Sequence, residues 1–422
     1  AALKNYDEAM EYFSGAIKNA PYFPDAFNNL GNILTQIGKY KVADSNFRKA
    51  IMLQPDFVSA YNNLGNTQVI RSLHKESISS LYRAIKLQPD FVEAYYNLGN
   101  SLSEIQNYKG SLNYQSRAIK LQPDFVKAYN NKGLVLVEVG RYTDAISAFR
   151  KTIQLDDTFS DAHYNLALVY NLLGQYKNAT RHFDISGKRS SMGQVLECLY
   201  KDGNYTELTK RLEKLARTDK LNIRVAAAST FITHQLKQDN PYPFCKNPLD
   251  FFHVGNLSKY TPQVDRLIDN IINEAERENY VWEPKDKTTV SGFQTKSIIF
   301  ESGEYCCKLK KFLMHEINTY YANYSSEQCL FIEAWPKKYS LKGWYVRLVK
   351  NGYQEAHIHE GGWISGVVYL KTISENSNDQ GALEVSIHGY DLPVIENKYP
   401  KKIFRPNKGD IILFPSSLFH KT

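Results

Sequence analysis

The sequence predicts two architectures in series: an all-α solenoid of helical hairpins over residues 1–184 and, beyond a helical cap or linker over 185–240, an α+β domain over 241–422 built on a double-stranded β-helix, the jelly roll. Three observations carry this. Pro21, Pro55, Pro89 and Pro123 recur every 34 residues, as do Gly31, Gly65, Gly99 and Gly133, and a fixed period of that length marks stacked helical hairpins. The period fades after Phe183, and at Gln238–Pro243 polar residues gather around two prolines that break helix. Further on, two helical segments give way to several short β-branched and aromatic runs, the order expected of a helix-backed barrel.

At 422 residues the chain is long enough for two or more cores. No apolar run reaches the roughly 18 residues that a membrane helix needs, so no membrane partner is expected. The net charge of +8 is modest, and no Lys/Arg block is dense enough to argue for nucleic acid. Five cysteines, an odd number without a CxxC, fit a reducing compartment, and a cytoplasmic location is expected.

Within one repeat, Ala60–Asn66 opens a first helix, Ser77–Leu87 forms the second, and Gln88-Pro89-Asp90 stops it. Small Ala and Gly at fixed positions let the helices approach, with Leu64, Leu98, Tyr61 and Tyr95 filling the seams. Residues 1–20 read as the second helix of a unit without its first, so an earlier start of the chain is expected. One column is not explained by packing. Asn29, Asn63, Asn97, Asn131 and Asn165 keep the step of 34, although asparagine is a poor residue inside a helix. A ladder of side-chain amides on successive first helices can hold an extended peptide backbone without reading its side chains. These residues resemble a tetratricopeptide array, in particular that of the O-linked N-acetylglucosamine transferases, and the resemblance implies a protein or peptide substrate gripped by the asparagines. The alternative is that these asparagines bond inter-repeat backbone and solubilise the groove.

Gln194–Tyr200, Tyr205–Leu215 and Ile223–Leu236 read as amphipathic helices of the cap. In the last part, Val264–Glu278 and Tyr305–Tyr321 read as helices, and Phe331–Trp335, Trp344–Val349, Gly366–Leu370, Gly381–Ile387 and Ile411–Phe414 as strands. His357 and His359 are two apart, so in an extended segment both imidazoles lie on one face. His420 follows another strand-like run, and the three can converge on a metal.

The motifs His357-Ile358-His359, Ile364–Leu370 and Gly409–Ser416 with His420 resemble the Fe(II)/2-oxoglutarate-dependent oxygenases with a jelly-roll core. The resemblance implies Fe(II) and 2-oxoglutarate, with dioxygen and the 2-oxo acid giving succinate and carbon dioxide as a C–H bond is hydroxylated. It implies His357, His359 and His420 as metal ligands and no other catalytic side chain. That family places an acid two residues after the first histidine. Here the place is held by His359, so the set is either all-histidine or completed by Glu360 or Glu384. The family commonly pairs the far carboxylate of the 2-oxo acid with a basic residue beyond the distal histidine, so here either a final strand is missing from this sequence or the anchor lies elsewhere. Arg347, Tyr369 and Lys371 are the candidates for that anchor within the chain. His388 reads as a surface histidine. Two other readings remain open: a cupin-like metal enzyme without 2-oxoglutarate, though Trp363 and Ile364 stand where a cupin has glutamate, and an inactive scaffold that only binds a partner.

Overall fold

A computed structural model describes residues 2–278, 280–284, 288–295, 299–301, 303–372, 380–396 and 398–422. The chain divides into two compact units, Ala1–Ser186 and Gly187–Thr422.

The first unit is a run of antiparallel hairpins: α1 (Ala2–Asn19), α2 (Pro24–Gln36), α3 (Tyr40–Leu53), α4 (Val58–Ile70), α5 (His74–Leu87), α6 (Val92–Glu104), α7 (Tyr108–Leu121), α8 (Val126–Glu138), α9 (Tyr142–Leu155), α10 (Ser160–Leu172) and α11 (Tyr176–Ser186). The repeated glycines stand where the two helices of a hairpin cross. A Cβ on Gly31 would lie 2.6 Å from the Phe47 ring, and one on Gly133 would lie 2.5 Å from the Phe149 ring. Ala60, Ala94, Ala128 and Ala162 are fully buried in the seams, so the spacing of small residues sets how closely the layers stack.

The second unit opens with α12 (Ser191–Lys201), α13 (Tyr205–Thr218) and α14 (Ile223–Gln235). After β1 (His253–Asn256) come α15 (Val264–Ala275), β2 (Tyr280–Trp282), β3 (Thr289–Thr295), α16 (Glu304–Tyr324) and the single turn α17 (Leu330–Glu333). Six strands follow: β4 (Val346–Gln354), β5 (Ile364–Val368), β6 (Leu383–Ser386), β7 (Lys401–Phe404), β8 (Asp410–Pro415) and β9 (Phe419–Lys421). They form three small antiparallel sheets, ordered β1-β8-β5, β2-β3-β4 and β7-β6-β9. Strand β8 is buried along its whole length, as a central strand should be.

One expected strand is a helix. Phe331–Trp335 is apolar enough for a strand, but the Cys329 carbonyl accepts from the Ile332 and Glu333 amides and winds the segment into a turn. That turn seats Phe331 among Phe244, Phe251 and Trp363. Strands β1, β2 and β7 are too short to show a period of two in the sequence. No helix among the described residues is long and apolar enough to cross a membrane.

Helix α16 carries a fully buried carboxylate, Glu316, which accepts from His253 at 2.7 Å, from Lys259 at 3.2 Å and from the Tyr260 hydroxyl. Burial pushes its pKa up, but the hydrogen bonds from Tyr260, His253 and Lys259 outweigh this and hold it below the ordinary glutamate value. A depressed carboxylate stabilises the fold above its unfolded pKa, and the contribution is lost as pH falls through the folded value. Acid unfolding of the second unit should therefore begin below about pH 4.5, and Glu316→Gln should flatten that limb of the curve. Circular dichroism against pH checks this.

Candidate metal centre

Local pairing brings the three histidines together. The backbone of His357 bridges that of His420, amide to carbonyl in both directions at 3.2 and 3.1 Å. His420 is in turn held on β9 opposite Val385 of β6. After His359 the chain turns, with the Gly362 amide on the His359 carbonyl at 2.9 Å, and enters β5. The loop leaving β8 closes on that turn: Ser416 donates its amide to Trp363 at 3.1 Å, and the Ser365 and Ser416 hydroxyls are 2.8 Å apart. A Cβ on Gly362 would meet the Ser416 hydroxyl at 2.8 Å, which explains a small residue there.

One ligating atom of each of His357, His359 and His420 lies within 4.8 Å of the others. The rings of His357 and His420 are 4.2 Å apart between centroids, and His359 lies 5.0 and 5.1 Å from them. His357 Nδ1 is 2.7 Å from the Glu355 carbonyl, so Nδ1 is the protonated nitrogen and Nε2 keeps its lone pair. Burial lowers the pKa of His357, against the Glu355 hydrogen bond. Burial, with His357 and His359 beside it, holds His420 well below the ordinary histidine value. Both imidazoles are therefore neutral at neutral pH, the state that binds a metal. Nδ1 of His420 is buried without a hydrogen-bond partner. Two neutral imidazoles, a third nitrogen within reach and an unsatisfied buried nitrogen fit a divalent transition metal.

The acids weighed as a third ligand are engaged elsewhere. Glu360 pairs with Arg224 at 2.7 Å. Glu384 pairs with Lys401 at 2.9 Å and Lys421 at 3.3 Å. Arg347 lies at the far end of β4 from the histidines. There its guanidinium covers the Phe293 ring at 4.9 Å and pairs with Glu276 at 3.2 Å. Lys371 is exposed, two residues past Tyr369. The Tyr369 hydroxyl is buried without a partner. Burial, then Asp410, push its pKa up, so it remains an O–H donor. His388 is half-buried rather than on the surface, bonded to the Leu392 carbonyl at 2.9 Å and packed on Phe231 and Tyr399.

Three neighbours of the site were not expected. Trp344 meets His359 edge-on at 5.4 Å, and Phe414 lies 5.0 Å from His420. The third is Arg224 of α14. It donates two bonds to Glu197 of α12 at 2.9 and 2.8 Å and one to Glu360, next to His359, and it stacks on Tyr390 at 4.4 Å. Tyr390 and Asp391 have φ of 54° and 51°, a strained pair for residues with side chains. Helices α12 and α14 clamp that segment: Tyr200 bonds the Pro393 carbonyl at 2.8 Å, and Gln235 accepts from the Ile395 and Glu396 amides. A Cβ on Gly193 would stand 2.5 Å from Arg224 Cγ, so α12 needs glycine there. Helix α14 is buried along most of its length, at the polar Ser229, Thr233 and Gln235 as well as at Val225, Phe231 and Ile232, and its amphipathic sequence gives no signal of that.

In the repeats, the asparagine amides join successive layers. Asn63 donates to Asn28 at 3.0 Å, Asn97 to Asn62 at 2.8 Å and Asn165 to Asn130 at 3.1 Å, while Asn131 donates to Tyr96 and Asn100. Asn29 is half-buried at the head of the column. The receiving column, Asn28, Asn62, Tyr96 and Asn130, also keeps the step of 34, and it is what sequence reasoning missed.

Comparison with known families agrees with this architecture. Residues 342–422 match a family model described as "Putative 2OG-Fe(II) oxygenase". Residues 31–69 and 133–174 match one described as "TPR repeat", and 92–125 one described as "Tetratricopeptide repeat". The chain joins tetratricopeptide repeats to a C-terminal domain of the 2OG-Fe(II) oxygenase type. No curated protein matches it significantly. Among solved structures, it is similar to YrrB, described as a TPR protein with an unusual peptide-binding site (25% identity, 42% of this chain and 91% of that one, TM-score 0.34). It is also similar to MamA (26% identity, 42% and 97%, TM-score 0.34). The Pseudomonas aeruginosa protein PilF is 18% identical over 52% of this chain and 96% of its own, with a TM-score of 0.42.

Proposed function

We propose that the chain is an Fe(II)- and 2-oxoglutarate-dependent dioxygenase that hydroxylates a peptide or protein held by its repeats. The observation that carries this is the meeting of His357, His359 and His420 at the loops of an antiparallel domain whose last 81 residues match the oxygenase model. A bound Fe(II) would supply oxidation of a C–H bond, with 2-oxoglutarate as reductant of dioxygen. The chain's own part is to hold and orient. His357, His359 and His420 hold the ion. The buried Tyr369 hydroxyl is a donor without an acceptor, and we assign it to a carboxylate of the 2-oxo acid. Trp344 and Phe414 wall the site and keep water from it.

The substrate part of the proposal rests on the repeats. Stapling fixes the plane of each asparagine amide, and Asn63, Asn97 and Asn165 each keep a second N–H for a peptide carbonyl. In a reducing compartment such as the cytoplasm the five thiols would stay free.

A second reading, a metal enzyme that takes no 2-oxo acid, is favoured by the donor set, since three histidines are also a zinc site. One assay separates the two. The first reading expects succinate to form from 2-oxoglutarate only with Fe(II) and dioxygen present. Metal-dependent turnover without 2-oxoglutarate would establish the second. With a protein substrate in hand, Asn63→Ala combined with Asn97→Ala should raise KM about tenfold or more and leave kcat and uncoupled succinate formation in place.

A further inference from the structure

The fourth repeat departs from its own pattern. The first helices carry Leu30, Leu64, Leu98 and Leu166 at a step of 34, and Lys132 takes the fourth place. Leu64, Leu98 and Leu166 are buried in the seams between layers. Lys132 is half-buried and opens onto a cleft of about 410 Å³ between α7, α8 and α9, lined also by Ser116, Tyr129, Leu136, Arg141 and Lys151. That volume lies within the usual range of ligand sites. The cleft holds three cations against one carboxylate, Asp144, which is already paired with Arg141 at 2.5 Å. Lys151 donates to the Gln154 side chain at 3.0 Å. Lys132 has neither an ion pair nor a hydrogen bond among the described residues. An ammonium at a position where the other repeats carry leucine adds a positive charge to the cleft that no side chain of the cleft neutralises. An incoming anion would supply the missing counter-charge.

We infer that this cleft binds an acidic side chain of a protein partner, with the carboxylate on Lys132 and Lys151 and the neighbouring apolar residue on the half-buried Tyr129. Lys132 is one residue from Asn131, about 100° around the helix. The cleft therefore opens away from the asparagine column and is a second point of recognition. It does not rest on the metal centre.

The test is fluorescence anisotropy on the full chain with two labelled peptides, one with a glutamate between two leucines and one with glutamine in its place. Wild type should bind the glutamate peptide at least about tenfold more tightly, and added salt should weaken the preference. Lys132→Leu restores the repeat pattern. It should erase the preference while its Tm stays at or above that of wild type, so that misfolding does not explain the loss. Equal binding of the two peptides by wild type, no binding, or an undiminished preference in Lys132→Leu would each overturn the inference. Displacement by inorganic phosphate as effective as by the peptide would overturn it too, by assigning the cleft to a free oxyanion. His420→Ala should leave this binding intact, so its failure and that of the oxygenase reading are distinguishable.

Discussion

Arg224→Met is expected to destabilise the second unit by about 3–5 kcal/mol, because it strands the buried Glu197 carboxylate, which the guanidinium now meets with two bonds. Thermal or urea unfolding reads this directly. Stability alone would not separate a structural arginine from one that positions the metal loop. The double change Arg224→Met with Glu197→Leu removes both charges from the α12–α14 crossing. Replacing a buried pair with apolar residues of similar size is close to neutral, so most of the stability should return. Glu360, next to His359, would still lack its partner. If Arg224 orients the histidine loop, this refolded double variant should bind metal roughly 10–100-fold more weakly, the usual cost of losing a group behind a ligand. Full metal affinity in the double variant would make Arg224 a stabilising residue only.

The larger effect on chemistry is expected from His420→Ala. Each ligand of a protein metal site is worth several kcal/mol of binding, so losing one of three should lower metal affinity by about a hundredfold or more, and succinate formation should fall to background. The fold should survive, since β9 is held to β6 by its backbone and not by this ring. Far-ultraviolet circular dichroism of the variant, run beside the turnover assay, separates loss of the ion from loss of the domain. His388→Ala is the matched control. That ring bonds the Leu392 carbonyl and packs on Phe231, outside the cluster, so its loss should cost stability and not metal.

How much of this was legible depended on whether a residue's partner was periodic. The repeats were readable because proline, glycine and alanine recur at one step, and the glycines prove to sit against a side chain of their own hairpin, Phe47, Leu81, Gln115 and Phe149 in turn. The asparagine column was visible for the same reason. Its use between layers was not, because the acceptors Asn28, Asn62 and Asn130 keep the same step and a period alone does not say which columns face each other. The histidines were readable from their spacing and the strands beside them. Arg224 was not, because its partner Glu360 lies 136 residues away and no local pattern links them. The partners of Arg347 were equally hidden, since nothing beside it in the sequence announces that Glu276 and Phe293 meet its guanidinium.

The most direct test of the metal centre is crystallographic: anomalous diffraction at the iron edge from the full chain loaded with Fe(II) without oxygen. One peak at ligand distance, about 2.0–2.2 Å, from nitrogens of His357, His359 and His420 is the expected result. A peak at any other group of side chains, or no peak in a chain that forms succinate from 2-oxoglutarate, would contradict it.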